Sequence, residues 1–526
     1  MAVKRYTWKQ RNALPAVRRA VALGVFDGLH IGHRAVLAAA CGVIDTDSAM
    51  LTATALCMVG VPKHDAGRLL TAQREEQLLE TLGTDEWIEM PFKDVCELSP
   101  ERFVRDILRD LLQARVVCCG YNYRFGKNGS GTVQTLRELC EPLGIRVTVV
   151  DAVQRDGEAI SSTRVRQAVT AGNMALAARL LGRPFSVELA VSNGDRRGRR
   201  WGMPTLNQVF PAEYAVPRYG VYASLVVIGE HPYHAVTNVG VHPTVGGVRV
   251  PQAETWIQGF DGDLYGQTVQ VLLIRFLREE RCFADVEALK AQIAADAAGA
   301  QAVLGGQHGG KAVIFDFDDT LQDRTQAFLT VARLLLSRHM HAVDTEQREQ
   351  YAQQLCRENA GGYVDHGTFF HSFVERWPFD EGVTGERLLW EYHRLFPLCS
   401  VLYTETPTVL AELRRRGYHI GIITNGNSLL QNRKLDVTGL RLDTDVALIS
   451  GDEGIHKPHP ELFRRAAARL CVAPENCVFV GDHPVNDIQG AVSAGMKAIF
   501  VNTRGLVQHP DGVPEVSRPA DILNML

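Results

Sequence analysis

Four glycines within six residues interrupt the chain at Gly305-Gly-Gln-His-Gly-Gly310. So many glycines do not hold a helix, and this stretch is predicted to be a flexible linker. The apolar run Ala312–Phe315 follows it, which is typical of a buried strand. The sequence therefore predicts a domain boundary near residue 308, with a C-terminal part that is only loosely tethered to the rest.

Three segments are predicted, which agrees with about 150 residues per domain for a chain of 526 residues. The N-terminal segment, 1–182, alternates short apolar strands with helical stretches, which indicates an α/β domain with a parallel sheet. The middle segment, 183–307, is rich in strands separated by Gly and Pro turns, which favours a small antiparallel β-barrel. The C-terminal segment, 308–526, returns to α/β and has a helical block at about 324–398. The expected fold class is thus multidomain α/β and β.

Composition excludes several classes of partner. Sixty acidic and 56 basic residues give a formal charge of −4, so no overall field recruits nucleic acid or acidic membranes. The sequence has no apolar run of membrane-spanning length, and its first residues lack the apolar core of a secretory signal. Eleven cysteines without a Cys-x-x-Cys pair are typical of reduced thiols. We expect a cytoplasmic protein that binds small molecules but neither nucleic acid nor membranes, and homo-oligomerisation stays open.

The N-terminal segment carries three motifs suited to a nucleotide triphosphate. His30 and His33 stand at the predicted start of a helix, whose free N–H groups attract phosphates. A run of hydroxyls and arginines opens a second helix, and a third motif follows the strand that ends at Gly120. An isolated pair of histidines would more simply be exposed surface residues, but the three motifs together favour ATP binding. The candidate residues are Gly24, Phe26, Asp27, Gly28, His30, Gly32, His33, Asn122, Arg124, Ser161, Ser162, Thr163, Arg164 and Arg166.

The middle segment contains a loop rich in glycine and arginine that ends in Pro204-Thr205-Leu206-Asn207. Such a loop suits a phosphate, and Gly198 and Gly202 are its candidate phosphate-binding glycines. Thr205 and Asn207 point to the same side of an extended chain, so their oxygens can share one Mg²⁺. Downstream, Glu254 can take the proton from an attacking hydroxyl. Without further support, a basic surface loop beside an ordinary hairpin would explain the same residues.

Polar side chains follow four predicted strands of the C-terminal segment. Asp316 and Asp318 come after the first strand and project to the same side. One such carboxylate can attack phosphorus while the other handles the proton of the leaving alcohol, and Mg²⁺ suits their oxygens. The remaining candidates are Thr424 and Asn425 after a second strand, the lone cation Lys457, and Asp482 and Asp487 after another strand.

In these motifs the first two segments resemble the bacterial bifunctional riboflavin kinase/FAD synthetases. The resemblance implies ATP, riboflavin and FMN as substrates, FAD as product and Mg²⁺ as cofactor. It implies a Rossmann-like nucleotidyltransferase domain in which ATP is bound while the FMN phosphate attacks its α-phosphorus. It further implies a riboflavin kinase barrel in which Thr205 and Asn207 bind Mg-ATP and Glu254 activates the ribityl 5′-hydroxyl. The chain departs from the family at Leu51–Met58, where many members have Thr-Phe-x-x-His-Pro, at Asn122 for Asp and at Leu206 for Ala.

Residues from about 311 to 526 resemble the haloacid dehalogenase (HAD) superfamily of phosphohydrolases, with the helical block as a cap. The resemblance implies that Asp316 is the nucleophile and forms an aspartyl-phosphate, and that Asp318 is the general acid/base. It implies that Thr424, Asn425 and Lys457 hold the phosphoryl group. Mg²⁺ would be held by Asp316, Asp318, Asp482 and Asp487.

Two alternatives stay open from the sequence. The altered stretch at 51–58 allows an N-terminal segment that binds nucleotide without catalysis, and the C-terminal segment allows a regulatory or assembly role. The phosphatase substrate is equally open. Fusion to flavin enzymes favours the ribitylamino-pyrimidine phosphate that precedes lumazine, whereas FMN, sugar phosphates and nucleotides also suit the motifs.

Overall fold

The computed structural model describes residues 3–43, 50–61, 67–192, 203–228, 231–243, 249–306, 310–359, 362, 364–503 and 512–526. Three six-stranded sheets organise these residues, one in each segment. Two sheets are wholly parallel and the middle one is wholly antiparallel. The predicted fold class is therefore confirmed. Among the described helices, none combines the length and apolar character needed to cross a membrane.

The N-terminal sheet has the strand order β1-β4-β3-β2-β5-β6. Its strands are β1 (Lys4–Thr7), β2 (Arg19–Gly24), β3 (Thr52–Val59), β4 (Glu86–Pro91), β5 (Ala114–Gly120) and β6 (Arg146–Val150). Central strand β2 is apolar from Ala20 to Leu23, because both faces of a parallel sheet are covered. Ala20 and Ala22 therefore pack into one core, and Val21 and Leu23 pack into the core on the opposite face.

Helices cover both faces of this sheet. They are α1 (Ile31–Ala40), α2 (Ala72–Leu79), α3 (Phe92–Val95), α4 (Pro100–Arg102, continued as the π-helical turn Phe103–Leu111), α5 (Val133–Cys140), α6 (Ser162–Thr170) and α7 (Met174–Leu181). A two-stranded hairpin of β7 (Gln154–Arg155) and β8 (Glu158–Ala159) precedes α6.

The middle sheet has the order β10-β13-β12-β11-β14-β9. Its strands are β9 (Phe185–Ala190), β10 (Thr205–Val209), β11 (Gly220–Ile228), β12 (His231–Pro243), β13 (Arg249–Ile257) and β14 (Thr268–Arg278). Ser192, just after β9, donates its backbone N–H to the carbonyl oxygen of Asn207 on β10 at 2.8 Å. This bond joins the two edges of the sheet, which is consistent with a barrel. Helix α8 (Val286–Leu304) packs against β11 and buries Val303 and Leu304.

The C-terminal sheet has the order β17-β16-β15-β18-β19-β20. Its strands are β15 (Lys311–Phe315), β16 (Tyr418–Thr424), β17 (Val446–Ile449), β18 (Cys477–Gly481), β19 (Lys497–Val501) and β20 (Glu515–Val516). Of the helices between β15 and β16, the first four share an aromatic core of their own: α9 (Arg324–His339), α10 (Thr345–Glu358), α11 (His366–Arg376) and α12 (Gly385–Leu395). The remaining helices are α13 (Thr406–Arg415), α14 (Ser428–Val437), α15 (Leu440–Asp443), α16 (Ser450–Glu453), α17 (Pro460–Leu470) and α18 (Gly490–Ser493, after the π-helical turn Pro484–Gln489).

The C-terminal segment packs closely against the N-terminal segment. Arg34 on α1 forms an ion pair with Asp436 on α14 at 2.8 Å, and both side chains are almost fully buried. Arg394 on α12 pairs with Asp85, and Arg155 pairs with Asp445 at 3.3 Å. The expectation of a loose tether is therefore wrong. The glycines near residue 308 are a local feature of the sequence. The contacts between the segments are made by side chains that lie far from these glycines in the chain.

Candidate functional site

The first candidate site lies at the carboxyl edge of the N-terminal sheet. Strands β2 and β5 are neighbours, so the chain after Gly24 and the chain after Gly120 leave the sheet side by side. Helix α1 begins at this edge with His30 as its N-cap residue. Gly28 has φ +82°, and a Cβ there would lie 2.7 Å from Cδ1 of Leu69, so the tight turn into α1 requires glycine.

His30 holds the start of α1 together. Its Nδ1 accepts a hydrogen bond from the backbone N–H of His33 at 3.1 Å, and the two imidazole rings stack 3.6 Å apart. Burial, together with the positive charge of Arg183, lowers the pKa of His30 to about 3. The ring is therefore neutral, and because Nδ1 accepts, its proton resides on Nε2. His30 can donate that proton in a hydrogen bond to a phosphate without carrying a charge itself.

Helix α6 contacts the same turn at Asp27, which lies between β2 and α1. Ser162 donates its hydroxyl to the carbonyl oxygen of Asp27 at 2.9 Å, and Arg166 pairs with the carboxylate of Asp27. The Ser161 hydroxyl caps α6 by accepting the N–H of Arg164. Two motifs separated by more than 120 residues in sequence therefore share one side of the sheet.

The other predicted residues of this segment lie around the same edge. Some of them bind other groups of the protein, and others are exposed. Arg164 donates to the carbonyl oxygens of Arg155 and Glu158, both at 2.9 Å. Asn122 and Arg124 are exposed just beyond β5, where their side chains are open to a ligand. The remaining candidates, which lie at the end of β2, in the turn after it or at the start of α1 or α6, are Gly24, Phe26, Gly32 and Thr163.

The second candidate site spans three adjacent strands of the middle sheet. Glu254 on β13 lies opposite Asn207 on β10 and opposite Asn238 on β12. Thr205 and Asn207 share one side of β10, while Leu206 between them is buried on the other side. Glu254 is half-buried and accepts a hydrogen bond from the Gln252 amide at 3.3 Å. Among the predicted residues, Gly198 and Gly202 lie outside the described part of the chain.

The third candidate site lies at the carboxyl edge of the C-terminal sheet, where β15 and β18 end side by side. Carboxylate oxygens of Asp316, Asp482 and Asp487 lie within 4.8 Å of one another. The Lys457 ammonium donates to Asp316 at 2.5 Å and to Asp487 at 2.6 Å. Burial raises the pKa of Asp316 and Asp482. The Lys457 ammonium opposes this rise, but it is a single cation beside three carboxylates, and the neighbouring carboxylates raise the pKa further.

Thr424 and Asn425 complete this edge at the end of β16. The Asn425 amide donates to the carbonyl oxygen of Lys457 at 3.0 Å, and the N–H of Lys457 donates to the Asn425 side chain at 2.8 Å. These two bonds fix the loop that carries the lysine. Burial opposes ionisation of Lys457, but the carboxylates of Asp316 and Asp487 outweigh it and raise the pKa of the ammonium group.

Asp318 lies apart from the three clustered carboxylates. Its side chain pairs with Lys434 and accepts from the amides of Gln431, at 2.9 Å, and Gln322. Burial opposes ionisation of Asp318, but Lys434 outweighs it and lowers the pKa of the carboxyl group to about 2. In this arrangement Asp318 is ionised and turned towards α14.

Sequence reasoning missed Lys434 and Gln431. Both lie on α14, which follows the Thr424 motif directly, and Gln431 also donates to the Thr424 hydroxyl at 2.8 Å. A glutamine and a lysine three residues apart lie on one face of a helix, but most such pairs are solvated. Their burial beside an aspartate more than 110 residues away left no signal in the local pattern.

Three family models match the chain in sequence order. They are FAD synthetase at residues 15–164, riboflavin kinase at residues 181–304, and haloacid dehalogenase-like hydrolase at residues 311–495. The bifunctional riboflavin kinase/FMN adenylyltransferase of Escherichia coli K12 is 34% identical over 284 residues, which cover 52% of this chain and 89% of that protein. The chain belongs to the bifunctional riboflavin kinase/FMN adenylyltransferase family.

The Pseudomonas fluorescens member of the family is 35% identical over 303 residues, covering 56% of this chain and 95% of that protein. A crystal structure described as a macrolide-efflux protein from Streptococcus pneumoniae is 28% identical, covers 57% of this chain and 99% of its own, and has a TM-score of 0.50. These similarities account for a little over half of the chain. The chain therefore joins a riboflavin kinase/FMN adenylyltransferase to a haloacid dehalogenase-like hydrolase domain.

Proposed function

We propose that the chain makes FMN and FAD with its first two segments, bounded near residues 182 and 308, and hydrolyses a small phosphate ester with its third. The convergence of Asp316, Asp482 and Asp487 around Lys457 carries the hydrolase part of this proposal. The two synthetic activities rest on family membership together with the motifs at the sheet edges.

In the kinase, Glu254 accepts the proton of the ribityl 5′-hydroxyl as that oxygen attacks the γ-phosphorus of ATP. Asn207 and Thr205 offer oxygen atoms beside it, a donor type that suits Mg²⁺. A bound Mg²⁺ would neutralise part of the negative charge on the phosphates of ATP. Glu254 is half-buried between two asparagine-bearing strands, and this position would hold its carboxylate towards the substrate.

In the adenylyltransferase, the phosphate of FMN attacks the α-phosphorus of ATP and pyrophosphate leaves. No covalent enzyme intermediate is needed, so positioning and electrostatics supply the rate. The N-terminus of α1 and the Nε2–H of His30 would bind the departing phosphates, and Ser162 would hold the turn through Asp27. The alteration at residues 51–58 lies on β3, which neighbours β2, so this activity needs the direct test below.

In the hydrolase, three clustered carboxylates fit Mg²⁺, which prefers oxygen ligands and would supply the missing cationic charge. Asp316 attacks phosphorus, and the bond to the alcohol oxygen breaks as an aspartyl-phosphate forms. Water then releases inorganic phosphate. Lys457, Thr424 and Asn425 would hold the phosphoryl oxygens. Asp318 would deliver the proton to the leaving alcohol, which requires it to turn away from Lys434.

The substrate of the hydrolase is proposed to be the ribitylamino-pyrimidine phosphate that precedes lumazine. This choice rests on the fusion to flavin synthesis alone. FMN, sugar phosphates and nucleotides are therefore compared on equal terms in the test. FMN is the least favoured of these substrates, because its hydrolysis would undo the reaction of the kinase.

The flavin activities are tested by incubating the full chain with riboflavin, ATP and Mg²⁺ and separating the flavins by chromatography. We expect FMN and FAD, and Glu254→Gln is expected to slow FMN formation about 100-fold or more. Supplying FMN directly to that variant bypasses the kinase and should restore FAD formation. FMN without FAD in the wild type, even with added FMN, would contradict the adenylyltransferase assignment.

The hydrolase is tested on the full chain with a panel of phosphorylated metabolites, with phosphate release as the readout. Asp316→Asn is expected to abolish Mg²⁺-dependent release and to leave FMN formation unchanged, because the two sites use different sheets. Glu254→Gln is the matched control, which should keep phosphate release. If the wild type hydrolyses no member of the panel, the C-terminal segment has a regulatory or assembly role instead.

A further inference from the structure

A cavity of about 930 Å³ lies where the three segments meet. Its lining comes from α1 and α2, from α7 and the turn after it, from β14 of the middle sheet, and from α14 to α17 of the C-terminal segment. Within the described part of the chain, none of the residues assigned above to the three candidate sites lines it. The cavity is therefore separate from those sites.

The lining is rich in arginine. Nine arginines face the cavity against four carboxylates. Carboxylates on and just outside the lining compensate seven of these arginines. Glu188 pairs with Arg74 at 3.6 Å and Asp156 pairs with Arg179 at 2.7 Å, and three further carboxylates are each shared by two guanidinium groups. The shared groups are Asp436 with Arg34 and Arg441, Glu453 with Arg465 and Arg469, and Asp445 with Arg155 and Arg414.

Arg183 adds a charge with no carboxylate beside it. Its guanidinium donates to the carbonyl oxygens of Gly28 at 2.8 Å and of Leu29 and Leu181 at 3.3 Å, and no described carboxylate lies within 4.0 Å. Burial and the nearby guanidinium group of Arg74 lower the pKa of Arg183 well below its ordinary value. Arg275 on β14 is exposed and likewise makes no ion pair with a described carboxylate. An anion beside Arg183 would relieve the repulsion between its guanidinium group and those of Arg74, Arg34 and Arg441.

Two further features of the lining suit a nucleotide rather than a bare anion. Asn427, the N-cap residue of the ten-residue helix α14, and Ser428, its first residue, line the cavity, and the first turn of a helix attracts phosphate. Leu181 and the β14 residues Leu272 and Leu273 give the cavity an apolar side. The volume is at the upper end of the range for small-molecule sites, which is about 300–1,000 Å³.

We propose that this cavity binds a nucleotide that carries two or more phosphates, with the arginines on its phosphates and the apolar side on its ring. Arginine suits this task because its planar group binds phosphate oxygens in pairs. ADP, ATP and FAD share this chemistry. A bound nucleotide would contact all three segments at once and would stabilise their packing. The proposal does not depend on any of the three activities.

The test uses the full chain in EDTA, which weakens metal-dependent binding at the other sites. ADP and methylenediphosphonate are titrated by calorimetry, and hydrogen exchange of the backbone locates each ligand. We expect ADP to protect peptides covering 174–184, 270–275 and 427–441. Arg183→Gln and Arg275→Gln, tested separately, should each weaken ADP binding about tenfold or more through lost charged hydrogen bonds.

Arg275→Gln keeps the test valid if Arg183→Gln does not fold, because the Arg275 side chain is exposed. Arg333→Gln is the matched control, since Arg333 pairs with Glu349 on the exposed face of the cap, and ADP binding should not change. FAD in place of ADP should give the same protected peptides. Unchanged ADP affinity in the arginine variants, protection confined to residues 24–33 and 161–166, or binding of methylenediphosphonate without ADP would overturn the proposal.

Discussion

The candidate hydrolase site depends on one residue that carries no functional group. Gly481 ends β18 beside the clustered carboxylates, and a Cβ at this position would lie 2.5 Å from Oδ2 of Asp487. The same Oδ2 accepts the backbone N–H of His483 at 3.0 Å, and this hydrogen bond holds the carboxylate of Asp487 in place. Glycine at 481 therefore sets how closely Asp487 can approach Asp316.

Gly481→Ala is expected to displace Asp487 and to reduce the apparent Mg²⁺ affinity of the hydrolase about 10- to 100-fold. The measurement is phosphate release as a function of Mg²⁺ concentration, with FMN formation as an internal check that should stay unchanged. Gly299→Ala is the matched control. A Cβ at Gly299 meets no atom within 4 Å, and alanine favours the helix by up to about 1 kcal/mol. Equal Mg²⁺ dependence in both variants would refute the positioning role of Gly481.

At the scale of elements, α1 combines a structural and a chemical task in one side chain. His30 caps the helix through Nδ1, and the opposite ring nitrogen can face a phosphate. The two tasks can be separated, because asparagine is a good N-cap residue but has no imidazole.

His30→Asn is expected to retain the stability of the protein and to lose FAD formation. His30→Ala should lose both, with a decrease of about 1 kcal/mol in the free energy of unfolding from the missing cap. The measurements are denaturant unfolding and FAD production from added FMN. Full FAD production by His30→Asn would show that the imidazole has no catalytic part.

Helix α14 connects the candidate hydrolase site to helix α1 of the N-terminal segment. One side of it carries Gln431 and Lys434, which hold Asp318, and the other carries Asp436, which pairs with Arg34 of α1. The strands around it were largely predictable, since the apolar run at Ala312–Phe315 lies within β15. The position of α14 between the hydrolase site and α1 could not be predicted, because a helix with polar residues on both sides has no distinctive pattern.

At the scale of the whole molecule, a buried ion pair joins the first and third segments. Asp436 compensates the charges of Arg34 and Arg441. Burial raises the pKa of Asp436, but these two cations outweigh that effect and lower the pKa overall. Removing one partner from such a group leaves a buried charge without compensation.

Asp436→Asn is expected to destabilise the protein by about 3–5 kcal/mol and to loosen the packing between the segments. Denaturant unfolding measures the loss, and small-angle scattering should report a larger radius of gyration. Glu349→Gln removes an exposed pair with Arg333 and should leave the midpoint of denaturant unfolding almost unchanged. A compact Asp436→Asn protein of normal stability would mean that other contacts hold the segments together.

The sequence by itself determined the three segments, their fold class and the chemistry at the strand ends. Those properties are local: apolar runs specify strands, and neighbouring parallel strands bring the residues that follow them to one edge. Only the tertiary structure decided that Asp318 faces Lys434, that the third segment packs against α1, and that arginines from three segments surround one cavity. These arrangements depend on side chains tens to hundreds of residues apart, whose meeting is set by the packing of whole elements and leaves no mark on the surrounding sequence.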